Sequence, residues 1–359
     1  MKKIWLLSFA IALPALAQAA DDSGVISLFD GTAAEEVKPK PQDDGESIFS
    51  FLNFKNWSKE KPKLSVSEQS KLSSLEQTTI LADKGDVNAQ LALGYIYLYG
   101  DNGVEPDYDK SFEYYAKAAM QNDSVGLNNL GSLYYSGIGI KRNTAKAAVL
   151  FEKAAKLGNA EAAVNLGFIL ITGNGVEKNP SLAMEFFQQA ADAKNPTAQF
   201  MVGYARYKGG LLDKDYLKAA TLIKSAAAAN FDEAQYTLAL MYINGLGMPQ
   251  NYGNAVKYLK LAVSQGNVEA MMTLGDILAR GEKYTKDLFT AHVMFNLAAV
   301  RGAEGAAAKR DVIESRMKID EVLSAQEQAE RFNPKPSELT LYIRQTFGTN
   351  VRSYIDNAN

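Results

Sequence analysis

Residues 160–195 read AEAAVNLGFILITGNGVEKNPSLAMEFFQQAADAKN, and this stretch of 36 residues decides the fold. Two runs with helical spacing of apolar residues flank a loop that is marked by Gly173 and Gly175. A pair of short helices cannot bury its own apolar face, so copies of the unit must stack on one another. The stretch therefore predicts a repeat protein.

The same unit recurs through much of the chain. A small residue in the middle of its first helix returns after 37 residues once and after 36 residues four times. A glycine inside a helix costs about 0.5–1 kcal/mol relative to alanine, so its recurrence indicates that a neighbouring helix passes close by. We expect it to face a small pair in the second helix, such as Ala190 and Ala191, so that small meets small. The mid-helix residues are Gly94, Gly131, Gly167, Gly203, Ala239 and Gly275.

Two further sequence features recur with this period. Asp or Asn, which are preferred N-caps, stands 11 residues before each small pair and is expected to begin the second helix. Glycine stands six residues after each mid-helix residue and is expected to end the first helix, because it tolerates the left-handed conformation. The N-caps are Asp107, Asn143, Asn179, Asp215, Asn251 and Asp287, and the closing glycines are Gly100, Gly137, Gly173, Gly209, Gly245 and Gly281.

This pattern resembles the Sel-one-like repeat family, a branch of the tetratricopeptide-like α-solenoids. In the quoted unit the resemblance rests on Ala162, Leu166-Gly167, Gly173-x-Gly175-Val176, Ala183 and Ala190-Ala191. It implies an all-α fold: a right-handed α-solenoid superhelix of about six helix–loop–helix repeats with capping helices at both ends. Leu211 and Lys283 replace the second loop glycine in the fourth and sixth units, where we expect loops of a different shape.

The sequence divides into four predicted segments. Residues 1–19 have a basic start, an apolar run and a small-x-small ending, which predict a signal peptide and a mature chain that begins at Ala20. Residues 20–63 are acidic and rich in Lys and Pro, which predicts a disordered linker with short apolar motifs that dock on the array or on a partner. The repeat array occupies 64–302, and capping helices with a tail occupy 303–359.

The tail is expected to form one last short helix from Leu339 to Ile355. Its apolar residues Leu341, Ile343, Phe347 and Tyr354 are expected to fold back on the cap. Charged residues at former packing positions of the preceding helices are what a terminal unit needs in order to face water.

Composition limits the function classes. The chain has no cysteine, so its fold depends on packing without disulfides, and thiol catalysis is excluded. Removal of a leader that carries Lys2 and Lys3 changes the formal net charge from −3 to −5, which gives no support for a nucleic-acid partner.

Signals for catalysis are weak. The single histidine, His292, occupies a position that is apolar in the other units, which favours packing over a role as a base. Ser58 and Lys61 match the first element of a serine β-lactamase without its companion motifs, which favours chance. We predict no catalytic residue, no metal site and no cofactor.

The candidate partner-binding residues lie on the first helices. The resemblance implies that the positions three before and one, four and five after the mid-helix residue point into the concave groove. Tyr and Phe dominate these positions, and such rings give rigid contact area at low entropic cost. The alternative is that the rings pack between adjacent first helices. The predicted partner-binding residues are Tyr95, Tyr99, Asn128, Tyr135, Phe168, Phe200, Tyr204, Tyr207 and Tyr236.

These observations favour an exported, non-catalytic scaffold or adaptor that binds a protein partner through the groove. The resemblance implies roles in envelope assembly, periplasmic regulation or host interaction and virulence, without choosing among them. The expected location is the periplasm of a Gram-negative bacterium or the medium after secretion, with no integral membrane segment in the mature form. The alternative is a peptidoglycan or polysaccharide binder with weak hydrolase activity, because stacked aromatic rings also suit sugars.

Overall fold

A computed structural model describes residues 74–100 and 103–358 of the chain. All the regular secondary structure in these ranges is helical, and consecutive helices pack as hairpins. The predicted all-α repeat fold is therefore confirmed. The predicted signal peptide, the linker and the first residues of the array, 64–73, lie outside the described residues.

The chain forms two compact units, one up to Ala193 and one from Lys194. The described part of the N-terminal unit contains one single helix and three pairs, each pair being a first and a second helix. Its helices are α1 (Ser74–Asp83), α2 (Val87–Tyr99), α3 (Tyr108–Met120), α4 (Ser124–Ser136), α5 (Thr144–Lys156), α6 (Ala160–Thr172) and α7 (Pro180–Asp192).

The C-terminal unit contains three more pairs and four terminal helices. Its pairs are α8 (Pro196–Lys208) with α9 (Tyr216–Ala228), α10 (Asp232–Asn244) with α11 (Tyr252–Ser264), and α12 (Val268–Arg280) with α13 (Leu288–Val300). The terminal helices are α14 (Ala306–Glu314), α15 (Ile319–Glu330), α16 (Glu338–Phe347) and α17 (Arg352–Asp356). Both α14 and α15 pack against α13.

The predicted helix starts are confirmed at every second helix. In each of them the side chain of the predicted Asp or Asn accepts a hydrogen bond from the backbone N–H three residues on. At α7, for example, Asn179 Oδ1 accepts from Leu182 N–H at 3.0 Å. Five of the six first helices are capped in the same way, whereas Phe231 stands before α10 and offers no side-chain acceptor.

The predicted closing glycines are also confirmed, since all six end a first helix with a positive φ. Lys194 adopts φ 65° where the other units have glycine or asparagine after the second helix, so the left-handed turn is kept even with a long side chain. Gly209 in the fourth unit has ψ 179°, whereas Gly281 in the sixth unit has ψ 16°. The expected change of loop shape therefore occurs in the fourth unit, which contains Leu211. In the sixth unit, which contains Lys283, the helix cap keeps the geometry of the other units.

The expectation that small residues meet at the crossing of each helix pair is wrong. A Cβ atom added at Gly167 would lie 2.7 Å from a ring carbon of Phe187, and Gly94, Gly131 and Gly275 face rings in the same way. The first helix lacks a side chain here because an aromatic ring lies directly against its backbone. The alanine pairs have another neighbour: a Cβ at Gly126, near the start of α4, would lie 2.7 Å from that of Ala118.

The expectation of one final helix is wrong as well. The backbone breaks at Gly348, with φ 91° and ψ 170°, and separates α16 from α17. This left-handed φ favours glycine, and it lets the chain change direction between the two short helices.

We predict that Gly167→Ala lowers the free energy of unfolding by about 1–3 kcal/mol, because the new methyl group overlaps the buried ring of Phe187. The same change in a Phe187→Leu background should cost less than about 1 kcal/mol, since the flat ring is gone and alanine is the better helix former. Urea unfolding of the four proteins of this double-mutant cycle measures the difference. Equal losses in both backgrounds would show that the ring is not the cause.

Candidate functional site

In the N-terminal unit, the predicted partner-binding residues divide by exposure. Asn128 and Phe168 are buried: Asn128 accepts a hydrogen bond from Asn165 at 3.1 Å, and Phe168 packs edge-on against Phe187. Tyr95, Tyr99 and Tyr135 keep part of their surface exposed, and the rings of Tyr95 and Tyr99 lie 4.7 Å apart. Three of the five predicted residues in this unit are therefore partly exposed.

Tyr135 has a cationic neighbour. The guanidinium of Arg142 lies 5.4 Å from the centre of its ring, in cation–π geometry. Burial raises the pKa of the Tyr135 hydroxyl, whereas the charge of Arg142 lowers it. Burial likewise raises the pKa of Tyr99 well above its usual range, so both residues stay neutral phenols near pH 7.

In the C-terminal unit, the predicted aromatic residues form a packed row along α8. Phe200 is fully buried, with its ring 5.0 Å from that of Phe231 and 5.7 Å from that of Tyr204. Tyr204 is 6% exposed and lies 5.9 Å from the partly exposed Tyr207. Phe200 is therefore a packing residue, as the alternative interpretation of the rings supposed, and only Tyr207 and Tyr236 retain intermediate exposure.

The C-terminal end of the chain, residues 334–358, lies across the first helices of this unit, and we call it the tail. It begins where the Lys335 N–H donates to the carbonyl of Ser264 at 2.8 Å, and the Ser337 N–H donates to the side chain of Gln265 at 2.9 Å. Its last helix, α17, packs against α8. The sequence predicted contact with the cap, whereas the structure places the tail on the predicted groove residues.

Two arginines of the tail meet acidic residues of the first helices. Arg344 Nη2 donates to Asp232 Oδ2 at 2.7 Å. Arg352 Nε lies 2.6 Å from Glu233 Oε2, and its Nη2 lies 3.1 Å from Glu269 Oε1. The side chains of Asp232 and Glu233 are only 2% and 6% exposed, so the arginines meet carboxyl groups that water barely reaches.

The tail also contacts two of the predicted tyrosines. The guanidinium of Arg352 lies over the ring of Tyr236, 4.9 Å from its centre. The Tyr204 hydroxyl donates to Asp356 at 3.2 Å, and Lys208 Nζ lies 3.0 Å from the same carboxylate. Burial, followed by the charge of Asp356, raises the pKa of Tyr204 above its usual range.

An apolar stripe on the tail turns inward. Its members recur every four residues, and all are at most 8% exposed. They are Leu339, Ile343, Phe347, Val351 and Ile355. Leu341, which we expected to pack inward, is 38% exposed, because it lies on the other side of α16.

The tail supplies a side-chain partner at the start of α10. The Oγ1 of Thr340 accepts a hydrogen bond at 3.2 Å from the N–H of Asp232, the first residue of α10, whereas the capping side chains of the other first helices accept from the N–H three residues after the cap. Thr340 in turn donates to Gln265 Oε1 at 2.8 Å. Phe231 fills the N-cap position with an aromatic ring, so the polar partner comes from a residue more than 100 positions away.

Sequence reasoning missed this site, although one local signal pointed to it. Phe231 stands where five units have Asp or Asn, and the acids Asp232 and Glu233 follow it directly. A helix start without a capping side chain needs a hydroxyl or another acceptor from elsewhere in the chain. Two adjacent buried acids likewise need basic partners. The tail contains both, in Arg344 and Thr340.

Other features of the described residues offer little chemistry. His292 is fully buried between α13 and α14, with Nε2 3.3 Å from Glu314, which agrees with the packing role expected for it. Residues 74–100 and 103–358 contain no group of three or more His, Asp or Glu that could hold a metal ion. No helix in these ranges is long and apolar enough to span a membrane.

A shallow cavity of about 450 Å³ lies between α12 and α14. Its lining includes Arg280, Lys286 and Arg316 around an ion pair of Lys309 with Asp276, whose Nζ–Oδ2 distance is 2.7 Å. Lys309 also lies 5.6 Å from the centre of the Phe295 ring. The cavity is cationic, but its one carboxylate is already paired.

A family model matches the chain over five consecutive units. It is the Sel1 repeat, and its matches cover residues 87–123, 124–159, 160–195, 196–231 and 232–267. Each match begins at the first residue of a first helix.

Two solved structures are similar in fold. A Sel1 repeat protein from Oxalobacter formigenes has a TM-score of 0.54 at 28% identity, with 62% of this chain and 90% of that chain covered. A protective antigen present in uropathogenic Escherichia coli strains, which displays an SLR fold, has a TM-score of 0.54 at 24% identity, with 76% of this chain and 66% of that chain covered.

One curated relative shares part of the array. Chitin synthase regulatory factor 1 of Schizosaccharomyces pombe is 35% identical over 80 residues. This match covers 22% of the present chain and 18% of the relative, so it reports shared repeats only.

The buried Glu233 gives the site a pH dependence with a definite sign. The pKa of Glu233 is raised from 4.5 to about 8, chiefly by burial and also by the charges of Asp232 and Glu269, against the opposing charges of Arg352 and Arg344. Between these pKa values the folded protein binds more protons than the unfolded chain, so its stability falls as the pH rises from about 5 to about 8.

We predict that the free energy of unfolding of the wild-type chain falls by roughly 1–3 kcal/mol between pH 6 and pH 8.5 through this group, at about 1.4 kcal/mol per pKa unit. Glu233→Gln removes the titrating group and should flatten the dependence. Urea unfolding at the two pH values measures both slopes. An unchanged slope in Glu233→Gln would contradict the assignment.

Proposed function

The chain belongs to the Sel1 repeat family, and we propose on this premise that it is an exported, non-catalytic scaffold that binds a protein partner through its first helices. Sel1 repeat proteins typically serve as scaffolds for protein interaction, which gives the coarse function. The finer proposal concerns export and the residues that contact the partner. Envelope assembly, periplasmic regulation and host interaction all fit a scaffold of this kind.

The observation that carries the proposal is the tail in the C-terminal unit. There a pair of short helices lies on the first helices and contacts Tyr204 and Tyr236. These first helices therefore have the shape and polarity to hold a helical peptide. In the N-terminal unit, Tyr95 and Tyr135 occupy the repeat positions of Tyr204 and Tyr207 and remain partly exposed.

The composition of this surface suits protein recognition. Tyrosine combines a large apolar ring with one hydroxyl and has few rotamers to lose on binding. Tyr135 is held by Arg142, so part of its ordering cost is met before a partner arrives.

We predict that a chain with Tyr95→Ala and Tyr135→Ala captures at least about tenfold less of its partner from an envelope extract, since each hot-spot tyrosine contributes on the order of 1–2 kcal/mol. Tyr108→Ala is the matched control, because Tyr108 is an exposed tyrosine at the start of a second helix. Circular dichroism checks that all variants keep their helicity. Equal capture by the double variant and the control would contradict the assignment.

Sedimentation with purified cell-wall sacculi tests the polysaccharide alternative in the same proteins. The scaffold proposal expects the wild-type chain to stay in the supernatant when no other protein is present. Co-sedimentation that Tyr95→Ala and Tyr135→Ala abolish would instead favour the polymer as the ligand.

We predict that the chain expressed in a Gram-negative host is recovered from the periplasm and begins at Ala20, because Ala17 and Ala19 flank a single residue as signal peptidase requires. Intact mass of the purified protein measures the cleavage point. Ala19→Leu, which removes the small residue before the cut, should leave the leader attached. Wild-type protein that keeps residues 1–19 in the cytoplasm would contradict export.

A further inference from the structure

We propose that the face formed by α8, α10 and α12 is a binding site for helical segments that carry two arginines eight residues apart, and that the tail is its exchangeable occupant. This inference rests on the proposed scaffold function and names the class of partner for one of its surfaces. A partner segment of the same chemistry would take the place of the tail.

The site is specific for arginine at two positions. At the first, Arg344 donates to the nearly buried Asp232 and, at 3.3 Å, to the carbonyl of Gln265. At the second, Arg352 lies between Glu233 and Glu269. Each planar guanidinium lies within 3.3 Å of two oxygen atoms from different residues, an arrangement that lysine, with its single point charge, reproduces poorly.

The second position adds an aromatic surface. The guanidinium of Arg352 stacks over Tyr236, and arginine makes this contact more often than lysine. Beyond it, Lys208 and the Tyr204 hydroxyl receive the carboxylate of Asp356. The order of charges along the site therefore requires a segment with arginine, then arginine, then an acid four residues later.

An empty site is unfavourable. Without the tail, Asp232 would lose its ion pair with Arg344 and would keep the amide of Asn267, whose Nδ2 lies 3.1 Å from Oδ2, as a hydrogen-bond donor. The Asp232 N–H would also lose the hydroxyl of Thr340. The site is thus built to be filled, either by the tail or by a segment that supplies the same groups.

The tail has the features of a segment that can leave. Its helices have 10 and 5 residues, and isolated helices shorter than about 12–15 residues are marginal in water. The tail must therefore pay its ordering entropy on docking, which weakens its binding relative to the area it covers. It remains bound because it is covalently connected to the array, which gives it an effective concentration at the site of about a millimolar.

The experiment uses a fluorescein-labelled peptide of residues 334–358 and the full mature chain, with fluorescence anisotropy as the readout. In the wild-type chain the tethered tail competes with the peptide. In a chain with Arg344→Glu and Arg352→Glu the tail loses both arginines and is repelled by Asp232 and Glu269, so the site is free for the peptide, which brings its own arginines.

We expect the double variant to bind the peptide at least about tenfold more tightly than the wild-type chain does, because competition by a millimolar effective concentration is removed. A control peptide with the same two substitutions should not bind. Equal binding of the labelled peptide by the two chains, or binding by neither, would overturn the proposal and make the tail a permanent part of the fold.

Hydrogen exchange of the wild-type chain gives an independent readout that needs no variant. Backbone amides of α16 and α17 should exchange at least about tenfold faster than those of α10, since the tail opens without unfolding the unit beneath it. Equal protection of the three helices would overturn exchangeability. Failure of the scaffold function would look different: the peptide would bind, but the extract would yield no partner sensitive to Tyr95 and Tyr135.

Discussion

The contact between the backbone of the first helix and an aromatic ring of the second helix, made in four of the six described pairs, is the constraint on which the array depends. In four units glycine in the first helix leaves room for a ring of the second helix, and a Cβ there would approach the ring to within 2.5–2.9 Å. The ring is buried and occupies the space that a side chain of the first helix would fill. Where the second helix has Leu259 instead, the first helix tolerates Ala239. The glycine period in these four units therefore reflects this contact, and the alanine pairs recur with the same period.

Local chemistry explains why most of the fold could be predicted and the tail could not. An N-cap side chain binds a backbone N–H three residues away, and a left-handed glycine changes only the turn in which it lies. Both features therefore allow helix limits to be predicted without knowledge of the tertiary structure. The side-chain hydrogen bonds of the tail to the array join residues that are separated by 72 to 152 positions, and no periodicity relates them. Among the N-caps of the six first helices, Phe231 is the one residue without a side-chain acceptor. A departure from the repeat therefore indicates a site better than the repeat itself does.

The candidate site, like the fold, could be predicted only in part. The aromatic positions were read from the repeat, and five of the nine residues keep some exposure, whereas Asn128, Phe168, Phe200 and Tyr204 are buried. A helix in an array has neighbours on both sides, so a position that points outward in one pair packs against the next helix or, for Tyr204, against the tail. Exposure depends on later parts of the chain, about which the sequence of a single unit carries no information.

The charged contacts between the tail and the first helices indicate how selective this scaffold is for its partners. Charged pairs at an interface contribute more to the choice of partner than to affinity, because much of their attraction offsets the loss of water. Asp232 and Glu233 are buried beneath the tail, so we expect a segment without matching arginines to bind less well, because these acids would lose their ion pairs. Aromatic rings alone would accept many peptides. The combination of tyrosines with two buried acids restricts the surface to helical segments that carry matching arginines. The tail of the same chain is one such segment.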